Sequence, residues 1–191
     1  MFAHYVVAKI NGVVTPFIIF PGDNLGLERP LINRDKFDYK TDVISAGFLT
    51  WEGGSDDVVK CFGQGDVPVQ TYPLKLATYK SRGKLDAKLF RDLLSQPIGY
   101  ILMGIGGQLR PVFLYPGDTH DYHLLARYQR RPKEVVISAG WMDFGLATGA
   151  APSCYGEAVF DKNDKARVDI SVTKQSRGDA DLKLFKKYYT Q

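Results

Sequence analysis

The two halves of this chain carry the same short segments in the same order, at a nearly constant separation. The first half holds P-F-I-I-F-P-G-D, V-I-S-A-G-F, C-F-G, S-R-G and L-F, and the second holds P-V-F-L-Y-P-G-D, V-I-S-A-G-W, C-Y-G, S-R-G and L-F. Corresponding residues lie 93 to 95 positions apart, and chance does not preserve such an order and spacing over five segments. The sequence therefore predicts an internal duplication, with residues 1–96 as the first repeat and residues 97–191 as the second.

Each repeat has the pattern of a β-β-(α)-β-β-β-α unit. The unit opens with two apolar runs, residues 4–10 and 15–20, on either side of Asn11-Gly12. Asn-Gly between such runs predicts a β-hairpin, because both central residues of a type I′ turn need positive φ. Gly106-Gly107 is its counterpart, and Pro-Gly-Asp ends the second strand in both repeats.

The remainder of the unit is predicted from the first repeat. Three further strands are expected, at residues 43–50, at residues 59–62 and, as one longer strand, at residues 69–79. A helix closes each repeat, at residues 85–94 and 180–189. The residues at helical spacing that we expect on the buried helix faces are Leu85, Leu89 and Leu93 in the first helix and Leu182, Phe185 and Tyr189 in the second.

These patterns predict a strand-rich α+β protein. A unit of about 95 residues buries a limited fraction of its surface, so we expect the two units to share a core as one compact pseudo-twofold body. No apolar run approaches the roughly 20 residues of a membrane-spanning helix, and the first residues lack an export signal, which favours a cytoplasmic location. Cys61 and Cys154 occupy matching positions, which favours reduced, structural cysteines.

The second repeat departs from the first in its linking segment, which gathers charge. Residues 118–133 contain two of the three histidines of the chain, two aspartates, three arginines and a lysine. If residues 122–130 are helical, Arg127, Arg130 and Arg131 face one side, and guanidinium groups match phosphate in a planar, bidentate way. Lys133 extends this basic group, which is the candidate site for nucleotide or DNA phosphates. A solvated loop and helix is the other interpretation.

The same segment holds the candidate catalytic residues Asp118, Asp121 and His123. Together with His120, their carboxylate and imidazole groups are able to bind a divalent metal such as Mg²⁺, which would activate water for phosphodiester hydrolysis. The chain lacks the motifs of phosphate-binding loops, zinc proteases and serine hydrolases.

Two other features leave alternatives open. Arg177 lies in S-R-G before a helix start, where it would either contact an anion at the helix N-terminus or form a repeated structural turn. Trp51 and the pair Trp141-Met142 follow the two S-A-G strands, and they belong either to the core or to an interface.

The repeated pattern V-I-S-A-G-[FW], C-[FY]-G and S-R-G-x-x-D resembles small accessory proteins of conjugative plasmids and integrative elements. Within that group the length and mild basicity, with a net charge of +4, are similar to fertility-inhibition proteins. The resemblance implies a ParB/sulfiredoxin-like fold with ATP hydrolysis and DNA cleavage at a conjugative type IV secretion channel. The closest counterpart of the phosphate motif of those relatives, residues 125–131, lacks their glycine and glutamate, so only its arginines carry over.

Two functions follow as hypotheses. The first is a plasmid-borne, DNA-directed factor that uses ATP and Mg²⁺ and blocks conjugative transfer, peripheral at the inner membrane through a partner. The second is a non-enzymatic protein-interaction module that obstructs a partner through a surface near Trp51 or Trp141, or a structural assembly component.

Overall fold

A computed structural model describes residues 2–10, 12–19, 39–51, 59–71, 73–105, 107–114, 136–162 and 170–189. The predicted Pro-Gly-Asp turns and the charge-rich segment 118–133 lie outside these residues. The described part is strand-rich α+β with antiparallel sheets, as the sequence predicts. Among its helices, none is long and apolar enough to cross a membrane.

The first half begins with a four-stranded antiparallel sheet in the order β2-β1-β3-β4. Its strands are β1 (Phe2–Ile10), β2 (Val13–Ile19), β3 (Val43–Thr50) and β4 (Lys60–Phe62), with a single helical turn, α1 (Tyr39–Asp42), before β3. A hairpin of β5 (Gln64–Thr71) and β6 (Leu74–Lys80) follows, and helix α2 (Lys84–Leu94) ends the half.

The second half repeats this order in the described residues. Its sheet has the order β10-β9-β7-β8, with strands β7 (Ile98–Ile105), β8 (Gln108–Leu114), β9 (Val136–Asp143) and β10 (Ser153–Tyr155). The hairpin of β11 (Glu157–Lys162) and β12 (Ile170–Gln175) and helix α3 (Asp179–Tyr189) follow. Even an irregularity of register recurs, at Val7/Ala8 in β1 and at Leu102/Met103 in β7.

Each sheet has one face toward its helix and one toward its hairpin. In β1, Tyr5 contacts Phe90 of α2, with ring centroids 5.1 Å apart. The neighbouring Val6 pairs with Ala46, and adjacent residues of a strand point to opposite faces. A Cβ placed on Gly65 of β5 would lie 3.0 Å from the Ala46 Cβ, so the hairpin covers the face opposite the helix.

One hydrophobic core runs through both halves. Its largest fully buried side chains include Tyr5, Phe17, Trp51 and Phe90 from the first half and Tyr100, Phe113, Phe144 and Phe185 from the second. Phe113 stacks on Phe185 with ring centroids 5.1 Å apart.

The structure corrects the predicted long strand at 69–79. The chain there forms two strands, β5 and β6, joined around Pro73, because proline has no backbone N–H for a ladder and favours a turn. Among the described residues, each half therefore has six strands rather than five.

The predicted face of α2 is wrong at Leu85, which is 64% exposed. Leu89 and Leu93 are half-buried and pack against the core. The buried residues of α2 are Asp86, Ala87, Phe90 and Leu94. In α3 the prediction is confirmed for Leu182 and Phe185, both buried, whereas the side chain of Tyr189 lies outside the described set.

Candidate functional site

Of the eight residues predicted to carry function, the structure describes one. Seven of them lie in the segment 118–133, outside the described residues: Asp118, Asp121, His123, Arg127, Arg130, Arg131 and Lys133. Arg177 is described, at the start of α3. Among the described residues, no group of three or more His, Cys, Asp or Glu side chains is placed to hold a metal ion.

Arg177 belongs to a buried polar cluster. Its Nε donates to Oδ1 of Asp181 at 2.8 Å, and its backbone N–H donates to Oδ2 at 3.0 Å. Asp181 is fully buried, while the Arg177 side chain is 40% exposed. This geometry matches the predicted structural turn, because a carboxylate of the same chain already occupies the guanidinium and the start of the helix.

A tyrosine and a serine complete this cluster, which we call the second Tyr–Asp cluster (Tyr100, Ser176, Arg177, Asp181). The Tyr100 hydroxyl donates to Oδ2 of Asp181 at 2.5 Å and lies 2.7 Å from the Ser176 hydroxyl. The only phenol proton goes to the carboxylate, so the Ser176 hydroxyl donates to the phenol oxygen. Ser176 Oγ in turn accepts the Gly178 N–H at 3.1 Å.

The first half contains the same arrangement, the first Tyr–Asp cluster (Tyr5, Ser81, Arg82, Asp86). The Tyr5 hydroxyl oxygen lies 2.6 Å from both Asp86 Oδ2 and Ser81 Oγ. Arg82 donates to Asp86 through its backbone N–H at 2.9 Å and through Nε at 2.8 Å. Each cluster thus ties the first strand of its sheet to the start of its helix.

Burial and hydrogen bonds shift the pKa values of both tyrosines and of Asp181 in the clusters. Burial, followed by the hydrogen bond to the carboxylate, raises the pKa of both Tyr5 and Tyr100. Burial on its own would raise the pKa of Asp181, but hydrogen bonds, from Tyr100 first and then from the Arg177 amide, bring it below its usual value.

Two thiols lie beside the clusters. Cys61 and Cys154 are both buried and free, which confirms the predicted reduced cysteines. Burial, together with the charge of the nearby carboxylate, raises the pKa of each thiol to about 12. Both thiols therefore stay protonated at neutral pH and are poor nucleophiles.

Two aromatic patches lie on the faces of the two sheets that are opposite to the Tyr–Asp clusters. The first aromatic patch consists of Phe48 and Phe62, which pair across β3 and β4, and of Thr50 and Lys60, which form the next pair on the same face. Phe62 is 47% exposed, and its ring stacks on Phe48 with centroids 6.0 Å apart.

The second aromatic patch occupies the equivalent place on β9 and β10. Trp141 pairs with Tyr155, and Asp143 pairs with Ser153. Trp141 and Tyr155 are 41% and 45% exposed, so of the two alternatives predicted for the tryptophans, core or interface, Trp141 does not belong to the core. Trp51 does, since it is fully buried, as is Met142.

A glycine with positive φ lies close to one ring of each patch. A Cβ on Gly63 would lie 2.9 Å from the Phe48 ring, and one on Gly156 would lie 3.1 Å from the Trp141 ring. These close approaches limit the freedom of the rings and lower the entropy cost of binding. Sequence reasoning missed Phe62 and Tyr155 as surface residues, although the aromatic in C-[FY]-G, after an inward-facing cysteine, is a signal for an outward side chain.

Comparison with protein-family models, with curated proteins and with solved structures found no match to the chain.

Proposed function

We propose that this chain is a protein-interaction module that docks on a partner through its two aromatic patches and obstructs that partner. The observation that carries the proposal is an aromatic pair at the same register of both sheets, with Phe62 exposed in the first pair and both Trp141 and Tyr155 exposed in the second. Aromatic residues are enriched at the centres of protein interfaces, where they combine a large apolar area with few rotatable bonds.

The recurrence of the patch supports binding at two sites. Each half presents a pair of rings beside one polar pair, Thr50–Lys60 in the first patch and Asp143–Ser153 in the second. Two weak contacts made by one chain raise the overall affinity without any new interaction, provided that the partner reaches both. Such a partner would be held across two faces of the module, which suits obstruction.

The test is affinity capture with the full chain, compared with a Phe62→Ser/Trp141→Ser variant. The matched control is Leu76→Ser/Leu85→Ser, which removes two exposed apolar side chains outside the patches. We expect one stoichiometric protein that the patch variant loses, that the control retains and that nuclease treatment leaves in place. Equal capture by all three forms would rule the proposal out.

A second candidate function is the plasmid-borne, DNA-directed factor, and the charge-rich segment favours it. Arg127, Arg130, Arg131 and Lys133 fall within seven residues of a chain with a net charge of +4. Binding through phosphate contacts weakens steeply with salt. We expect DNA binding at low salt that Arg130→Glu/Arg131→Glu abolishes, and undetectable binding by the unchanged chain would exclude this function.

Catalysis by that factor has its own test. Plasmid DNA is incubated with Mg²⁺, with and without ATP, and the unchanged chain is compared with Asp118→Ala/Asp121→Ala. Cleavage that the variant lacks would support a metal-dependent nuclease. Cleavage by both forms would indicate a contaminating enzyme.

We further propose that the two halves descend from one duplicated unit and are related by a pseudo-twofold axis. The matching strand orders and the two Tyr–Asp clusters support this. An experimental structure tests it by superposition of one half on the other. The ParB/sulfiredoxin-like assignment stays a prediction that the same structure would test.

A further inference from the structure

Both aromatic patches consist of an aromatic pair and a polar pair, but their charged side chains have opposite signs. The polar pair of the first patch contains Lys60, which is exposed, and that of the second contains Asp143, which is half-buried. Neither side chain forms an ion pair within the described part of the chain. Each patch therefore offers an aromatic pair and, in its polar pair, one charged side chain to an incoming surface. In the first patch Phe48 is half-buried and also contacts the ring of His4, with centroids 4.6 Å apart.

Strand register determines what these charges meet when one patch lies face down on the other. Turning the second patch over about an axis parallel to its strands brings β9 over β4 and β10 over β3, and it keeps the aromatic and polar rows aligned. Phe62 then faces Trp141, and Phe48 faces Tyr155. In the next row Lys60 faces Asp143, and Thr50 faces Ser153.

The same operation on two identical patches is less favourable. Two first patches would place Lys60 opposite Thr50, and two second patches would place Asp143 opposite Ser153. Only the combination of unlike patches pairs the cation with the anion while it stacks all four rings. Charge complementarity of this kind selects partner and register.

The partner patch must come from another molecule. Phe62, Trp141 and Tyr155 are each more than 40% exposed in one chain, so the two patches do not cover each other within it. We propose that the first aromatic patch of one copy binds the second aromatic patch of another copy, with Lys60 paired to Asp143. Such a head-to-tail contact generates a ring or an open chain of copies.

The inference rests on the proposed function in that it uses the same patches, but it names a second copy as their occupant. Four residues a side are far fewer than the 20 to 30 of a stable interface. The contact is therefore weak, with a dissociation constant of roughly 10 to 1000 µM.

Sedimentation velocity of the full chain over a range of concentrations at low ionic strength tests the proposal. We expect the weight-average sedimentation coefficient to rise with concentration. Lys60→Glu and Asp143→Lys should each weaken association roughly threefold to tenfold or more, and an equimolar mixture of the two variants should recover it, because each then offers a patch that complements the other.

Two controls keep the test specific. Lys88→Glu makes the same charge change as Lys60→Glu at an exposed position of α2 and should associate like the unchanged chain. Asp143 Oδ1 accepts the Gly145 N–H at 2.7 Å, so Asp143→Asn, which keeps that acceptor, replaces Asp143→Lys if the latter unfolds; it should weaken association as well.

Three results would overturn the proposal: no concentration dependence up to about 1 mM, equal weakening by Lys88→Glu, or no recovery in the mixture. Flat sedimentation together with patch-dependent capture of a different protein would leave the proposed function standing and remove this inference. Patch-dependent self-association without capture of a different protein would leave this inference standing and remove the proposed function.

Discussion

Trp51 and Phe144 contact each other edge to face, with ring centroids 5.8 Å apart, within the hydrophobic core. Both side chains are fully buried. Trp51 directly follows β3 and Phe144 directly follows β9, so equivalent positions of the two halves meet in the core. The contact belongs to a hydrophobic core cluster that contains residues of both sheets.

Removal of the Phe144 ring should therefore destabilise the whole chain. Phe144→Ala leaves a cavity between Trp51 and Phe113, whose ring centroid lies 5.7 Å away, and such changes cost about 3 to 5 kcal/mol. Urea unfolding followed by circular dichroism should show one transition shifted to lower urea. Tyr155→Ala, at an exposed ring, is the control and should cost about 1 kcal/mol or less; equal losses, or two separate transitions, would contradict the shared core.

The Tyr–Asp clusters predict a second effect. Tyr100→Phe keeps the ring against Phe185 but removes the hydroxyl that donates to the buried Asp181. Asp181 Oδ2 then keeps the hydrogen bond from the Arg177 backbone N–H, and the loss of a hydrogen bond to a buried carboxylate costs about 1 to 3 kcal/mol. Tyr5→Phe should have a similar effect through Asp86, whereas Tyr155→Phe should leave the free energy of unfolding unchanged. A neutral Tyr100→Phe would show that the hydrogen bond contributes nothing to stability.

The clusters also show how much of the arrangement the sequence predicts. Strand β3 is observed at the predicted residues 43–50, because a short apolar run bounded by polar segments is typical of a strand. Sequence reasoning assigned S-R-G to a turn or an anion site but missed Asp86 and Asp181, which complete it. The signal for both aspartates was the fixed spacing S-R-G-x-x-D in the two halves. A second signal was the presence of Tyr5 and Tyr100 at matching positions of the first strands.

The errors have a common physical origin. In α2 the leucines at 85, 89 and 93 and the residues 87, 90 and 94 mark two neighbouring helical faces, and periodicity alone does not choose between them. The buried Asp86 decides, because its hydrogen bonds to Tyr5 and Arg82 fix the rotation of the helix. Likewise, the apolar pattern on both sides of Pro73 predicts one strand if the missing backbone N–H of the proline is not considered.

Acid should destabilise the chain partly through Asp181. Its pKa is lowered in the folded state, so between that value and the usual value near 4 the unfolded chain binds a proton that the folded chain does not. This contribution to stability is complete above about pH 5 and is lost as the pH falls through the folded pKa. Asp181→Asn is less stable at neutral pH but should lose less stability between about pH 5 and pH 2, as measured by urea unfolding at each pH. An unchanged pH slope would show that Asp181 is not the responsible group.

The S-A-G segment makes the last prediction, because its glycine lies where two backbones approach each other. A Cβ on Gly140 would lie 2.5 Å from the carbonyl oxygen of Tyr155 and 3.0 Å from the Ser176 Cβ. Gly140→Ala must therefore push β10 and the second Tyr–Asp cluster away from β9, at a cost of about 1 to 3 kcal/mol or more. Gly104→Ala is the matched control in the same sheet, since its Cβ would meet only the flexible end of Ile137 at 3.3 Å. We expect thermal unfolding to shift markedly for Gly140→Ala and little for Gly104→Ala, because backbone atoms cannot yield as a side-chain terminus does; the opposite order would contradict the close approach of β9 and β10.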